Sequence, residues 1–144
     1  MIRRIGDPPR VDQRFTLRAG AYVILPLKQR LLVTVQGADI QLPGGGIDPG
    51  ESAVQALHRE VREETGWRIA TPRRLGAFRR FVFMPEYDLW AEKLCHIYVA
   101  RPVYQITEPI EPDHKTLVIS PDQAVQTLGN DGDSLFVARY FSIY

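Results

Sequence analysis

The stretch that most restricts what this chain can fold into is residues 48–66, DPGESAVQALHREVREETG. Its apolar residues recur at helical spacing, and Gly66 suits a left-handed helix C-cap. Asp48-Pro49-Gly50-Glu51 has the form of a helix start, with an acidic cap, proline at the first position and glutamate at the third. Ser52 is an alternative cap. With Ala53 set at zero on a helical wheel, Leu57, Val61 and Val54 fall near about 40°, 80° and 100° and make one apolar stripe. Glu63, Glu60 and Glu64 fall near about 280°, 340° and 20°, so the carboxylates form a column on the border of that stripe and Glu64 leans into it.

Such a column is costly. Like charges three and four apart repel by roughly 0.2–0.5 kcal/mol per pair, and flanking buried surface removes hydration as well. A divalent cation reverses the sign of the Coulomb term, and Mg²⁺ prefers oxygen ligands. The same pattern also suits a solvated helix on which Arg59 and Arg62 offset the glutamates, and Glu51 also reads as a capping residue. Helix geometry leaves both readings open.

The longer segment GGIDPGESAVQALHREVREETGW, residues 45–67, resembles the signature of the Nudix hydrolases, G-x5-E-x7-R-E-U-x-E-E-x-G-U with U apolar. Gly45, Glu51, Arg59, Glu60, Val61, Glu63, Glu64, Gly66 and Trp67 fill the specified positions. The resemblance implies an α/β (α+β) fold, an α/β/α sandwich with a mixed β-sheet, as one domain over residues 1–144. It implies Mg²⁺-dependent hydrolysis, with Mn²⁺ an alternative, of a phosphoanhydride in a nucleoside diphosphate linked to another group. Nucleoside triphosphates, dinucleoside polyphosphates, ADP-ribose and nucleotide sugars all qualify. Glu60, Glu63 and Glu64 are then the metal ligands, and Arg59 orients a box glutamate, Glu51. Gly44 and Gly45 are the loop whose backbone approaches metal or phosphate. Two other uses of the fold are a non-catalytic nucleotide-sensing domain and a metal-dependent isomerase. The first tends to carry a degraded box; the second typically needs an active-site cysteine.

The resemblance implies a general base that is a box glutamate or one from a loop elsewhere; outside the box, Glu92, Glu108 and Glu111 are candidates, with Glu111 preferred. Arg79 and Arg80 are adjacent on a strand and point to opposite faces, so one of them can meet phosphates; Arg79 is taken as that residue, and Arg18 as a second. Phe78, Phe81, Phe83, Tyr87 and Trp90 read chiefly as core, with base stacking as the alternative. His58, His96 and His114 lack metal-ligand spacing and read as structural or solvent-facing. Cys95, in the apolar run LCHIYVA, reads as a buried thiol.

The remaining elements expected are strands at 15–27 (broken at Gly20), 31–35, 74–83, 94–100 and 116–119. Residues 43–46 read as a tight loop, and most strands as antiparallel. A capping box at Ser120–Gln123 opens a helix to about residue 128, and 134–142 form a short final helix or docked tail. The net charge of +1 argues against a stable nucleic-acid partner. The N-terminus lacks a signal peptide's apolar stretch and no run reaches membrane-spanning length, so the expectation is a cytoplasmic protein without a membrane partner. The partner expected is a small nucleotide; a homodimer is one of the two assembly states the resemblance allows.

Overall fold

The computed structural model describes residues 1–143. The strands are β1 (Thr16–Leu27), β2 (Arg30–Gln36), β3 (Asp39–Gln41), β4 (Gly44–Gly46), β5 (Trp67–Met84), β6 (Leu89–Gln105) and β7 (His114–Ile119). The helices are α1 (Ala53–Thr65), α2 (Pro121–Thr127) and α3 (Asp131–Tyr140). The strands form one mixed sheet in the order β3-β2-β1-β6-β5, with β4 added to β1 and β7 to β2. At its centre β1 runs parallel to β6 from Thr16 opposite Ala91 to Ile24 opposite Val99, and the other pairings are antiparallel.

Alternation along β1 divides the core into two layers. Ala21, Val23 and Leu25 point to one face and pack with Leu57 and Val61 of α1. Ile24 points to the other, where Phe78, Ile97, Val99, Phe136 and Val137 close the core under α2 and α3. Phe78 is fully buried and stacks on Phe136 at 6.0 Å. Burial of a side chain of that size contributes roughly 1.5–3 kcal/mol. The arrangement is an α/β/α sandwich.

Helix α1 starts later than Asp48. Ser52 is the N-cap, and its hydroxyl accepts from Gln55 N while the Gln55 side chain accepts from Ser52 N. Glu51 lies before the helix, where its carboxylate accepts from Asp48 N at 2.9 Å and from Arg59. Gly66 ends the helix at φ 75°. A Cβ there would run into the carbonyl of Thr107. The buried face runs through Ala56, Leu57, Val61, Glu64 and Thr65. Val54, placed on the apolar stripe by its wheel angle, is instead exposed.

Several other elements differ from expectation. Gly20 does not break β1; it pairs with Gly46 and Cys95, and its missing side chain admits the Tyr22 ring, which a Cβ would meet at 2.8 Å. Residues 44–46 are a strand, β4, because they run antiparallel against 20–22. Strand β5 begins at Trp67, and its register shifts at 68/69, 70/73 and 74/76 disrupt the period-two pattern that marks a strand. The final helix begins at Asp131, capped by Asn130, whose side chain accepts from Asp133 N. Strand β3 is too short to give a pattern. Among the described residues no helix is long and apolar enough to cross a membrane.

Candidate active site

Glu60, Glu63 and Glu64 leave the last two turns of α1 on the side that meets β4 and the segment before β7. Glu64 is 5% exposed. Its Oε1 accepts from Gly44 N at 2.8 Å, and its Oε2 lies 3.2 Å from His114 Nε2. Burial pushes the Glu64 carboxyl up to about 9, and the Gly44 N–H opposes that shift. Burial also raises Glu60, against the pull of Arg59.

Arg59 threads through these carboxylates. Its Nε donates to Glu51 Oε2 at 2.7 Å and one terminal nitrogen to Glu51 Oε1 at 2.8 Å, a bidentate fork. That same nitrogen also donates to the Gly46 carbonyl. The other reaches Glu60 at 2.9 Å and Glu63 at 3.4 Å. Hydrogen bonds from Arg59 and from Asp48 N hold Glu51 down at about 2.

Strand β4 has glycines for two different reasons. At Gly45 a Cβ would sit 2.5 Å from the Glu60 carboxyl carbon, so the bare backbone makes room for the carboxylate. Gly44 has φ 144° and presses against the backbone of Ala21 and Tyr22.

The segment between β6 and β7 supplies Glu111. Ile106 N and Thr107 N donate to the Gly66 carbonyl, and Ile110 N and Glu111 N both donate to the Glu63 carbonyl. The carbonyls at the C-terminal end of α1 therefore anchor this segment. Two groups of ligand atoms result, each within 4.8 Å: Glu60, Glu63 and Glu111; and Glu64, Glu111 and His114. The first is an all-oxygen set of the kind a hard divalent cation takes, and the space kept by Gly45 leaves Glu60 free to join it.

Beside β4 lies a cavity of about 250 Å³. Arg18, Tyr22, Gly44–Gly46, Arg80, Tyr87, Lys93, Cys95 and Asp133 are in its wall. The Arg18 guanidinium stands 4.6 Å above the Tyr87 ring centroid. Burial lowers Lys93, and burial pushes Asp133 up to about 6 and the Cys95 thiol up to about 11, so Cys95 is not a thiolate at neutral pH.

Glu60, Glu63, Glu64 and Glu111 thus cluster behind β4, whose glycines, with Arg18, are in the wall of the cavity. Arg79 does not reach it. Its side chain is on the opposite face, bonded to Glu92 at 2.8 Å and to the Ile2 carbonyl, while Arg80 faces the cavity. The parity was available in the sequence: Arg80 shares a face with Phe78, which enters the core layer under α3, the side on which Asp133 also lines the cavity. Glu92 is consumed by Arg79, and Glu108 is exposed. Of the five aromatics near 78–90, only Tyr87 lines the cavity. His58 is exposed, and His96 packs near Arg74. His114, by contrast, is buried among the carboxylates. The one local signal for it was its i,i+3 spacing from Glu111.

The shifts imply a pH dependence. Glu64's pKa is raised on folding, so its stabilising contribution is full below about 4.5 and is lost as pH rises toward 9. Glu51 is shifted the other way and loses its contribution as pH falls from about 4.5 toward 2. The melting temperature in EDTA is therefore expected to decline from about pH 5 to pH 9, and added Mg²⁺ to raise it more at pH 8 than at pH 6. A scanning-fluorimetry series checks both; a Mg²⁺ effect equal at the two pH values contradicts the assignment.

A family model described as the NUDIX domain matches residues 14–140. A Bacillus subtilis protein named "Putative 8-oxo-dGTP diphosphatase" is 39% identical over 74 residues, 49% of this chain and 50% of that protein. An RNA pyrophosphohydrolase of Pectobacterium carotovorum is 50% identical over 42 residues, 29% of this chain and 24% of that protein. These matches thus span half or less of each relative's length. A solved NUDIX hydrolase from Nitrosomonas europaea superposes with a TM-score of 0.72 over 88% of this chain and 90% of that one, at 16% identity, a likeness of fold. With its box complete and the match running through nearly the whole sheet, the chain belongs to the Nudix family.

Proposed function

We propose that this protein is a divalent-metal-dependent hydrolase that opens a phosphoanhydride of a nucleoside 5′-triphosphate. The observation that carries the reading is the convergence of Glu60, Glu63 and Glu111 oxygens within 4.8 Å beside a cavity walled by β4. Glu60 and Glu63 would hold the cation, with Glu64 joining them from its neighbouring group with Glu111 and His114, and Mg²⁺ would be preferred because the carboxylate donors are hard oxygens. When bound, the cation offsets the charge of the phosphate oxygens and lowers the pKa of a water.

The chain's own groups do the rest. Arg59, fixed by its fork to Glu51, keeps Glu60 and Glu63 aligned against their mutual repulsion. Glu111, half-exposed at the cleft, takes the proton of the attacking water. Arg18, Arg80 and Lys93 bring positive charge to the cavity, and Tyr87, braced by Arg18, offers a face for a base. A cavity of about 250 Å³ suits one nucleoside rather than two, which favours a mononucleotide over a dinucleoside polyphosphate. The Bacillus relative is named for action on such a triphosphate, and the Pectobacterium relative for action on RNA.

The test is a product-resolved chromatographic screen with Mg²⁺. It covers nucleoside triphosphates, 5′-triphosphorylated RNA, dinucleoside polyphosphates, ADP-ribose and nucleotide sugars. Cleavage of a free triphosphate at one phosphoanhydride is expected, with the RNA and the dinucleotides slower. Tight nucleotide binding with no product after long incubation replaces the enzyme with a nucleotide-sensing domain.

A further inference from the structure

We infer that His114 is a positioning residue that sets Glu64 for the cation and Glu111 for the attacking water; the inference rests on the metal reading above. The imidazole is nearly sealed, with its side chain 5% exposed. Nε2 lies 3.2 Å from Glu64 Oε2, and Nδ1 lies 2.9 Å from Glu111 Oε2 and 3.2 Å from Asp113 Oδ1. Glu64 belongs to α1 and Glu111 to the segment after β6, so one ring ties the two halves of the carboxylate cluster together.

The ring itself is held by the sheet. His114 opens β7 and pairs with Gln36 of β2, whose side chain also donates to Asp113. Its backbone N–H closes a turn onto the Glu111 carbonyl. Glu64 is thereby contacted at both oxygens, by Gly44 N on one and His114 on the other. Each carboxylate oxygen has a second lone-pair direction, so a side chain held in this way still has coordination to offer. Groups that bond to metal-binding carboxylates fix their orientation, and losing one such partner typically weakens metal affinity or activity about 10–100-fold.

A role confined to filling space makes a different forecast. The test is Mn²⁺ binding by titration calorimetry to nucleotide-free protein, comparing wild type, His114→Ala and His114→Gln. His114→Ala is expected to weaken Mn²⁺ binding by about 10–100-fold, and His114→Gln, which keeps an N–H donor, to recover part of the loss. In the hydrolysis assay the Mg²⁺ concentration for half-activation rises by a similar factor. KM for nucleotide at saturating Mg²⁺ stays within about threefold of wild type, since a positioning group on the metal side leaves nucleotide contacts intact. If His114→Ala fails to fold, His114→Gln carries the same readouts. Wild-type or tighter Mn²⁺ affinity in a folded variant overturns the inference alone. A wild-type protein that binds no Mn²⁺ overturns the metal reading and this inference with it.

Discussion

Glu63→Gln and Glu64→Gln are each expected to lower turnover by on the order of 10²–10³-fold, the scale of losing one preorganised charge-stabilising group, while the protein still folds. The exchange keeps shape and removes the charge. At Glu64 a glutamine oxygen can still accept from Gly44 N, so the tie between α1 and β4 survives. Because burial makes the ionised form of Glu64 costly, the metal-free glutamine variant is expected to melt at or above the wild-type temperature at pH 8. Stability and activity then move in opposite directions, the mark of a residue retained for function at a cost to stability. Steady-state rates with Mg²⁺, paired with melting curves in EDTA, check both halves. Wild-type turnover in either variant removes the carboxylate ridge from the mechanism.

The second large effect is at the glycines of β4, where two neighbours respond differently to the same methyl group. An alanine Cβ at position 45 meets the tip of a flexible side chain, with Glu60 Cδ at 2.5 Å and both its oxygens within 2.8 Å. The carboxylate is free to swing away, so Gly45→Ala is expected to fold with close to wild-type stability. It loses about 10²-fold in activity, because a shift of about 1 Å in a catalytic constellation costs that much. At position 44 the Cβ meets the immobile backbone of Ala21 and Tyr22 at a φ of 144°. Gly44→Ala has no cheap escape and is expected to destabilise the fold by about 1–3 kcal/mol or more. Denaturant melts and rate assays on the two variants separate the cases. Equal stability loss in both contradicts the assignment of Gly45 to the space around Glu60.

How much of this was legible follows from which interactions are local. Helix α1 was readable because its periodicity, its cap and Gly66 lie within one short stretch. Even there, two candidate caps competed: Asp48 and Glu51 do bond to each other, but the helix begins after Ser52, whose box with Gln55 is complete. The wheel foresaw Glu64 leaning into the apolar stripe, but only packing against the sheet could show that it, and not Val54, lies on the buried face. Strand β4 was opaque, since three glycines have no strand propensity and become a strand only by pairing with β1. The first half of β5 was hidden by bulges. His114 and Arg80 depended on long-range geometry: one is brought to the carboxylates by the β2–β7 pairing, the other faces the cavity by strand parity. Arg79 and Arg80 are one residue apart, and in a strand one residue reverses the face, so Arg80 and not Arg79 lines the cavity.

The central claim is that the acidic ridge of α1 exists to hold divalent cations that present a nucleotide's phosphates to water. Its most direct test is anomalous diffraction from crystals soaked with Mn²⁺ and a non-hydrolysable nucleoside triphosphate. The account predicts Mn²⁺ bound by Glu60, Glu63 and Glu64, with phosphate oxygens completing the coordination and the base in the cavity beside Tyr87. Carboxylates free of metal, engaged only by Arg59 and His114 while the nucleotide binds elsewhere, would contradict it.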